Sequence, residues 1–589
     1  MASTRATQLA RAAPRARWAE RIPFAGDLSV LYLPLLLITA GLVLVPLAVL
    51  LLASLKPSTA LPWDAVPLTL ANFAAVFAAP ITYTLLANTA IYAVGTIAFG
   101  LGCAVVLAWL VERTDVPGRT LVYVAFVVAL GLPPMLTALG WTLWLSPRIG
   151  VANIVLRQLL GSDAAEGPLN GYSLGGMIFV TGLAICPSIF MMIAALLRNM
   201  DAALEDAGQM SGANTSSVWR RITLPLLLPG LLATVTYYLV TLIQHFDVPL
   251  ALGLPGRTLV LSTRVFLLTQ PENGLPEYGL AATYAVIALI AGVLLMVVYL
   301  RATRHAERFR IVTGKGYRPR RIRLGRWKYP ALAFIGGYLL LALVAPLVLL
   351  LWISLLPYYQ SPSWEALSQL SLAAYGEVLR NPRVGPAALN TVVLMVAAAT
   401  LATILSVLIA WVSLRLRVRG ARLLESLAFS ALAIPSIVVA LAVLLVYIRT
   451  PIYGTVWILV VGHLTTYLSF GTRTMSAAVI QLHRELEESA AVHGASWWAT
   501  LRRVVMPLLF PAMTNGWIWM AAHSMRDFTF PLMLGTSGNL VIAALIWNFW
   551  RVPNLPAAAA LSVMLAVALG ACAGLSRAYL ISRADEGRS

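Results

Sequence analysis

The sequence predicts an all-α integral membrane protein with about twelve transmembrane helices, arranged as two parallel six-helix repeats. Of the 589 residues, 60% are hydrophobic and only 11% are charged, and the mean hydropathy is +0.83. Soluble domains are about half apolar and about one quarter charged. Because a membrane β-barrel would alternate apolar and polar positions, the continuous apolar stretches of this chain favour helices.

Twelve stretches with almost no charged side chains approach the roughly 20 residues that a helix needs to cross a bilayer. The first six are 31–54, 86–111, 121–145, 174–197, 226–246 and 280–300. The second six are 330–356, 389–414, 424–448, 455–472, 508–525 and 556–576.

The second half of the chain repeats the first. Early matches lie 302 positions apart: Asn88-Thr89 and Asn390-Thr391, Ala108-Trp109 and Ala410-Trp411, Pro133 and Pro435. Later matches lie 282 apart: Gly212 and Gly494, Pro225 and Pro507, Phe246 and Phe528, Pro249 and Pro531, Gly253 and Gly535. The first half therefore has about 20 extra residues, expected within the polar stretch 161–176. Since each half has an even number of spans, the two copies are expected to have the same orientation.

The distribution of basic residues predicts that both termini are cytoplasmic. The chain has 42 Lys and Arg against 23 Asp and Glu, a net charge of +19. With a cytoplasmic N-terminus, the loops and tails on that side contain 32 of the 42 basic residues, as the positive-inside rule expects. The densest basic run adjoins a span, so we expect it to contact anionic lipid and not nucleic acid. The predicted divisions are an N-terminal arm 1–30, a first six-helix domain 31–301, a basic cytoplasmic linker 302–329, a second six-helix domain 330–582 and a cytoplasmic tail 583–589.

Two polar, basic segments lie at equivalent places, between the fourth and fifth spans of each half. The first polar segment is "EDAGQMSGANTSSVWRRITLPLLLP" (205–229), and the second is "EESAAVHGASWWATLRRVVMPLLFP" (487–511). Acidic residues at the start of each suit a helix N-terminus, and the glycine that follows suits a helix end. A proline comes 13 residues after each glycine, where the fifth span begins and proline is tolerated. The pattern predicts a short helix, a glycine turn, a basic helix and then the span.

The two polar segments resemble the EAA loop of ABC-transporter permeases, in which Glu-Ala-Ala is followed at fixed spacing by Gly and then by Ile-x-Leu-Pro. In the first segment those positions are held by Asp206, Ala207, Gly208, Gly212, Ile222, Leu224 and Pro225, preceded by Glu205. In the second they are held by Glu488, Ser489, Ala490, Gly494, Val504, Met506 and Pro507, preceded by Glu487. Several residue types depart from the pattern, but the spacing is intact. The resemblance implies that these residues form two loops that couple the chain to an ATPase.

That resemblance also implies partners and a location. It implies a fused, two-domain permease of the bacterial inner membrane that works with a cytoplasmic ATPase, in two copies, and with a periplasmic solute-binding protein. The fused layout, the linker "VTGKGYRPRRIRLGRW" and the segment "FDVPLALG" resemble permeases of the ferric-iron type and their relatives for thiamine, polyamines, sulfate or phosphonates. Recognition in such importers is largely delegated to the binding protein.

The sequence contains no signature of an enzyme, and we predict no catalytic, cofactor-binding or metal-binding residue. No G-x-x-x-x-G-K-[ST] motif occurs, so ATP hydrolysis is expected on a separate subunit. The six histidines form no HExxH or comparable ligand set. The main alternative is a secondary transporter of the major-facilitator type, which also has twelve spans in two halves. Proton-driven carriers need ionisable residues within the membrane, and the predicted spans contain almost none.

Matched segments at the predicted periplasmic end of each fifth span are candidates for an external gate. The segments are "FDVPLALG" and "FTFPLMLG". Each lies roughly 20 residues after the proline of its fifth span, a distance of about one membrane thickness along a helix. The candidate gate residues are Phe246, Asp247, Pro249, Asp527, Phe528 and Pro531. Interfacial anchoring, or a local ion pair between Arg526 and Asp527, would account for the charges equally well.

Overall fold

The computed structural model describes residues 25–200, 203–271, 273–306, 321–415 and 420–586. Most of the predicted N-terminal arm, the middle of the predicted linker and the end of the predicted tail lie outside these ranges. Within them the chain is helical, and the one pairing of extended backbone is an isolated bridge between Thr114 and Ile322. The predicted all-α membrane fold is confirmed.

Long apolar helices alternate with short connecting helices in both repeats. Those of the first repeat are Ala25–Ser54, Ala71–Ala78, Pro80–Arg113, Arg119–Gly131, Pro134–Leu145, Val151–Leu160, Leu174–Asn199, Ala203–Met210, Thr215–Val218, Leu224–Ile243, Leu261–Thr269 and Tyr278–Ala306. Those of the second are Lys328–Leu339, Ala345–Ser354, Trp364–Ser368, Ala373–Arg380, Val384–Arg415, Ala421–Ser430, Ser436–Tyr447, Val456–Gln481, Arg484–Val492, Trp497–Thr500, Met506–Arg526, Thr529–Leu534, Ile542–Arg551 and Leu555–Glu586.

The predicted number of about twelve spans is not confirmed. Among the described residues, eight helices are long and apolar enough to cross a membrane, and two bent pairs of helices bring the number to ten. The predicted span 455–472 lies in helix Val456–Gln481, which is long enough but contains polar residues such as His463 and Arg473. The predicted span 556–576 corresponds to a shorter apolar stretch, Leu555–Ala571.

The two bent pairs correct the prediction of continuous spans at 121–145 and 424–448. The first pair meets at 94° and the second at 108°, and the breaks fall at the matched residues Pro133 and Pro435. Proline lacks an N–H and disfavours helical conformation in the residue before it. Leu132 is accordingly extended, with ψ of 133°.

The extra residues of the first repeat begin earlier than the sequence suggested. Helix Val151–Leu160 and the polar loop after it lie between the third and fourth predicted spans. The second repeat has only turns at that place, between Ile448 and Thr455. The insertion was expected within 161–176, and it includes this preceding helix as well.

Contacts group the chain into two compact units, and each unit contains parts of both repeats. The smaller unit contains the segments up to Val45, Ala399–Leu432 and Leu464–Met520. The larger unit contains Pro46–Ala398, Ala433–His463 and the segment from Ala521 onwards.

In the smaller unit, the first helix of the first repeat packs against the second repeat. The Tyr32 hydroxyl donates a hydrogen bond to the Gly420 carbonyl at 3.0 Å. Leu35 lies in the same apolar core as the fully buried Trp411. The helix Ala25–Ser54 is therefore held by residues nearly 400 positions away.

In the larger unit, the first helix of the second repeat packs against the first repeat. The Tyr338 hydroxyl donates to the Leu183 carbonyl at 2.9 Å, and its ring lies 5.4 Å from that of Phe126. Gly140 permits a close approach, since a Cβ there would lie 2.6 Å from the Pro346 carbonyl oxygen. The first helix of each repeat thus packs against residues of the other repeat.

Candidate functional site

The two polar segments have the same order of structural elements, which is the order that the sequence predicts. The first consists of helix Ala203–Met210, a turn at Gly212, helix Thr215–Val218 and a π-helical turn that leads into Leu224–Ile243. The second consists of helix Arg484–Val492, a turn at Gly494, helix Trp497–Thr500 and a π-helical turn that leads into Met506–Arg526. Pro225 and Pro507 lie at the second position of the long helices, directly after the π-helical turns.

Both glycines terminate the short helix in the same way. Gly212 has φ of +86° and Gly494 has φ of +76°, the left-handed conformation that only glycine adopts readily. The Gly212 N–H bonds the Gln209 carbonyl and the Ala213 N–H bonds the Gly208 carbonyl, at 2.9 and 3.1 Å. This pair of bonds is the Schellman motif of a helix C-terminus.

The second segment repeats this motif. The Gly494 N–H bonds the Ala491 carbonyl at 2.9 Å, and the Ala495 N–H bonds the Ala490 carbonyl at 3.0 Å. A Cβ at either glycine would meet nothing within 4 Å. The backbone conformation, and not crowding within the chain, is what requires glycine at both sites.

The second helix of each segment begins with a side-chain cap at the same position. Asn214 Oδ1 accepts a hydrogen bond from the Ser217 N–H at 2.8 Å, and Ser496 Oγ accepts one from the Ala499 N–H at 3.3 Å. Such caps satisfy N–H groups that have no partner inside the helix. The direction of the chain after each glycine is therefore fixed by local bonds.

An ion pair with a buried arginine attaches each short helix to the end of the second predicted span. In the first repeat, Arg113 Nε lies 3.1 Å from Glu205 Oε2, and the Thr223 hydroxyl donates to Glu205 Oε1 at 2.8 Å. In the second repeat, Arg415 Nε lies 2.7 Å from Glu487 Oε1, and Trp411 Nε1 donates to Glu487 Oε2 at 3.1 Å. Glu205 and Glu487 thus hold their segments in place from the inner side.

The arginines of these ion pairs were not among the predicted site residues. Arg113 and Arg415 are 302 positions apart, the same spacing as the repeat matches before them, and this spacing was the available signal. Of the predicted acidic residues, Glu488 is exposed, unlike its neighbour Glu487. The structure therefore separates an anchoring glutamate from an outward-facing one.

Each short helix ends in an exposed apolar side chain. Met210 is 90% exposed and Val492 is 82% exposed, and each lies two residues before the left-handed glycine. Ala207 and Ser489 nearby are also exposed. An exposed apolar side chain therefore stands at the same position of both polar segments.

The candidate gate residues lie just beyond the ends of the long helices, which stop at Ile243 and Arg526. Phe246 and Phe528 are buried, and so are Pro249 and Pro531. The charge of Asp247 interacts with those of Asp527 and Arg526. The structure therefore brings the two predicted acidic residues near each other.

The gate phenylalanines pack in equivalent ways. The ring of Phe246 lies 5.3 Å from that of Phe266, edge to face. The ring of Phe528 lies 6.1 Å from that of Trp547, also edge to face. Such pairs stabilise the packing beyond the buried area alone, so these rings hold the segment after each fifth span against the helix that follows it.

A polar contact that the sequence did not reveal lies next to the gate residues. In the second repeat, Nε2 of the buried His463 lies 3.5 Å from Asp527 Oδ2. In the first repeat, the Tyr92 hydroxyl bonds both Thr181 and His245, at 2.8 and 2.9 Å. His463 falls within the predicted span 455–472, so that span does contain an ionisable residue.

A family model matches most of both repeats. The model describes the inner membrane component of binding-protein-dependent transport systems, and it matches residues 97–310 and 402–585. Both polar segments lie inside the matched ranges. The two matches agree with the predicted internal repeat.

Individual proteins with similar sequences are named as transport permeases. A Haemophilus influenzae protein that carries the name of a ferric transport system permease is 24% identical over 75% of this chain and 68% of its own length. The ferric transport system permease protein of Actinobacillus pleuropneumoniae is 25% identical over 76% of this chain and 64% of its own length. A spermidine/putrescine transport system permease protein of Haemophilus influenzae is 27% identical over 33% of this chain and 77% of its own length.

Proposed function

Because the chain belongs to the family of binding-protein-dependent transport system inner membrane components, we propose that it forms the solute pathway of an ABC importer and couples that pathway to a separate cytoplasmic ATPase. Two ATPase copies would engage the two polar segments, and a periplasmic binding protein would deliver the solute. Both termini would lie in the cytoplasm. The names of two relatives support ferric iron as the transported element.

The observation that carries this proposal is the matched, exposed apolar tip of each polar segment. A solvent-facing helix normally keeps large apolar side chains inside, yet Met210 and Val492 are almost fully exposed. A short helix that presents an apolar residue can dock into a groove of a partner. Because the tips occur at equivalent positions in two repeats, a partner with two similar grooves, such as an ATPase dimer, fits them.

The local geometry explains how force would pass through these segments. The Schellman turns and caps fix the helix after each glycine, which continues into the fifth predicted span. The two ion pairs fix the other end of each segment to the second predicted span. A movement of the tip would therefore be passed to two spans of its repeat instead of being absorbed by a flexible loop.

A test is to replace the apolar side chains of Met210 and Val492, which are exposed and do not contribute to the packed core. Fully burying a side chain of this kind contributes about 1.5–3 kcal/mol, so Met210→Ser and Val492→Ser should each weaken ATPase binding by roughly 10- to 100-fold. The double variant should retain membrane abundance and lose co-purification of the ATPase and solute uptake. Leu159→Ser is the matched control, because Leu159 is 77% exposed on a helix predicted to be periplasmic. Normal ATPase binding by the double variant would contradict the proposal.

A second test uses the glycines. Gly212→Val and Gly494→Val place a β-branched residue in the left-handed conformation. Each substitution costs about 1–2 kcal/mol of backbone conformational free energy. Each variant should insert normally but show weaker coupling of ATP hydrolysis to uptake, with the larger defect at Gly494, whose segment keeps the glutamate of the family pattern at Glu488. Gly161→Val is the control, since Gly161 ends helix Val151–Leu160 with the same pair of bonds and φ of +60°. A coupling defect of equal size at Gly161 would show that strain alone is responsible.

A further inference from the structure

The end of the linker, residues 321–329, is held against the loop between the second and third predicted spans of the first repeat. We call these residues the linker segment. The Ile322 N–H donates to the Arg113 carbonyl at 2.9 Å, and the Asp115 N–H donates to the Ile322 carbonyl at 3.1 Å. The Leu324 N–H donates to Asp115 Oδ1, 209 positions away, at 3.0 Å. The linker segment therefore has a fixed place beside the first repeat.

The linker segment presents three arginines at the surface. Arg321, Arg323 and Arg326 are exposed, and within the described part of the chain no carboxylate pairs with any of them. The ion pair that the segment does form there joins Lys328 Nζ to Asp115 Oδ2 at 3.7 Å. Arg321 and Arg323 flank the residue that forms the backbone bridge, so they lie on the same face of extended backbone. Their charges are left to the surroundings.

A further arginine of the first repeat adds to this positive surface. The charge of Arg321 acts on that of Arg119, and two like charges repel each other. Glu112 and Asp115 also act on Arg119, but each of these carboxylates already pairs with another basic side chain. An anion beside Arg321 would therefore reduce a repulsion that the described residues leave in place.

Two aromatic side chains indicate where this surface meets the bilayer. Trp327 is 74% exposed and Tyr329 is 77% exposed, and both lie at the start of the candidate span Gly325–Ser354. Trp and Tyr are enriched at the membrane–water interface, because their rings are apolar and each has one polar group. Lipid headgroups lie at the same level. The arginines that directly precede Trp327 are thus placed at the level of lipid phosphates.

The chemistry of these side chains fits one kind of ligand. Guanidinium groups bind phosphate through paired, charge-assisted hydrogen bonds. Each basic residue next to a span favours anionic over neutral lipid, by roughly fivefold. A free anion would use the arginines but would gain nothing from the two exposed aromatic rings. A lipid uses both, since its phosphate meets the arginines while its acyl chains lie beside the span.

We propose that the linker segment is a binding site for the phosphate headgroup of an anionic membrane lipid. Its three unpaired arginines bind the phosphate, and its two exposed aromatic side chains hold the segment at the interface. Lipid bound there also steadies the neighbouring loop, because the Arg113 carbonyl accepts the Ile322 N–H. Arg113 is the residue that anchors the first polar segment through Glu205. The site therefore adds a lipid ligand to the importer proposed above.

The test titrates the detergent-purified full chain with lipid and measures bound lipid by native mass spectrometry. The probes are phosphatidylglycerol, which is anionic, phosphatidylcholine, which is neutral overall, and inorganic phosphate, which has no acyl chains. We expect the tightest-bound phosphatidylglycerol to be held at least tenfold more tightly than phosphatidylcholine. The triple variant Arg321→Gln/Arg323→Gln/Arg326→Gln should raise its Kd by at least 25-fold and leave phosphatidylcholine binding unchanged. The corresponding triple lysine variant keeps the charge and should lose less.

A second measurement reports on the fixed conformation of the linker segment. The N–H groups of Asp115, Ile322 and Leu324 donate the bonds that hold it. Their hydrogen exchange should be slower in nanodiscs that contain equal parts of phosphatidylglycerol and phosphatidylcholine than in phosphatidylcholine alone. The triple glutamine variant should exchange at the same rate in both. A general electrostatic attraction to the membrane would not produce this local difference.

The matched control is Arg257→Gln/Arg380→Gln/Arg383→Gln, which removes three exposed arginines from loops predicted to be periplasmic. It should bind phosphatidylglycerol as the original chain does. The proposal is wrong if this control loses as much binding as the linker variant, or if the linker variant binds phosphatidylglycerol normally. It is also wrong if inorganic phosphate or a short RNA displaces the lipid, or if exchange does not depend on the lipid. No ATPase is present, so this proposal and the coupling proposal can fail separately.

Discussion

Replacement of Glu487 by alanine is expected to release the second polar segment from its anchor while leaving the chain folded. Glu487 and Arg415 are both buried, with a contact of 2.7 Å. Removing one member of a buried ion pair costs about 3–5 kcal/mol, because the other charge stays buried without compensation. Arg415 keeps bonds from Nη2 to the Leu482 and Val479 carbonyls, at 3.0 and 3.3 Å. The cost should therefore be near the lower limit, about 3 kcal/mol.

A change of this size has a measurable local consequence. Each 1.4 kcal/mol corresponds to a factor of ten, so the equilibrium for local opening of the segment should rise by roughly 100-fold. Hydrogen exchange followed by mass spectrometry would show this as faster exchange in helix Arg484–Val492. The purified chain alone is the right sample, because a bound ATPase would protect the same helix.

The control is the neighbouring residue. Glu488→Ala removes the same charge one position later, but Glu488 is exposed, so the exchange rate should remain that of the original chain. In a double-mutant cycle, Glu487→Ala and Arg415→Ala should be strongly non-additive. Equal exchange in Glu487→Ala and Glu488→Ala would refute the anchoring role and leave the ion pair as a passive contact.

Three further outcomes are expected. Reporter enzymes fused after Glu485 should be active in the cytoplasm and one fused within 60–80 in the periplasm, and the reverse pattern would overturn the predicted orientation of both repeats. The purified chain should neither bind nor hydrolyse ATP, whereas proton-driven uptake by the chain alone in vesicles would identify a secondary transporter. The hydrogen bond from the Leu324 N–H, assisted by Lys328, lowers the pKa of Asp115 below its usual 3.8, so this contact stabilises the folded chain above about pH 4 and is lost as the pH falls through the lowered pKa. Asp115→Asn should therefore increase the rate of proteolysis near Leu324 at neutral pH. Acidification should then change that rate less in the variant than in the original chain.

The features that could be predicted from the sequence are those set by local chemistry. Apolar stretches predicted the long helices, and the glycine within each polar segment predicted a helix end. The latter was possible because a left-handed φ depends on the identity of a single residue. The matched residues Asn88-Thr89 and Asn390-Thr391 were recognised as repeats without a known role. The structure shows the role of the threonines. Thr89 accepts a hydrogen bond from the first N–H of helix Leu261–Thr269, and Thr391 accepts one from the first N–H of helix Ile542–Arg551.

The features that could not be predicted depend on contacts between distant residues. Glu487 and Arg415 are 72 positions apart, and Tyr32 and Gly420 are 388 apart. No local pattern reports such a pair. The break at Pro133 and Pro435 was missed for a different reason: a proline inside an apolar stretch is also compatible with a kinked but continuous span, so length and composition alone did not decide between the two.

The repeats agree where the backbone imposes a requirement, and they differ in side-chain chemistry at buried positions beside the candidate gate residues. Gly212 and Gly494 share the same turn because nothing but glycine fits its φ at low cost. By contrast, Thr181 corresponds to His463 and His245 corresponds to Asp527, so side chains beside the candidate gate residues differ in charge. Under the proposed function, an ATPase dimer with two similar surfaces would engage both polar segments, which accounts for the turn that they share. No such match is required beside the candidate gate, where His463 lies against Asp527 in the second repeat, while the equivalent Thr181 and His245 share the Tyr92 hydroxyl in the first.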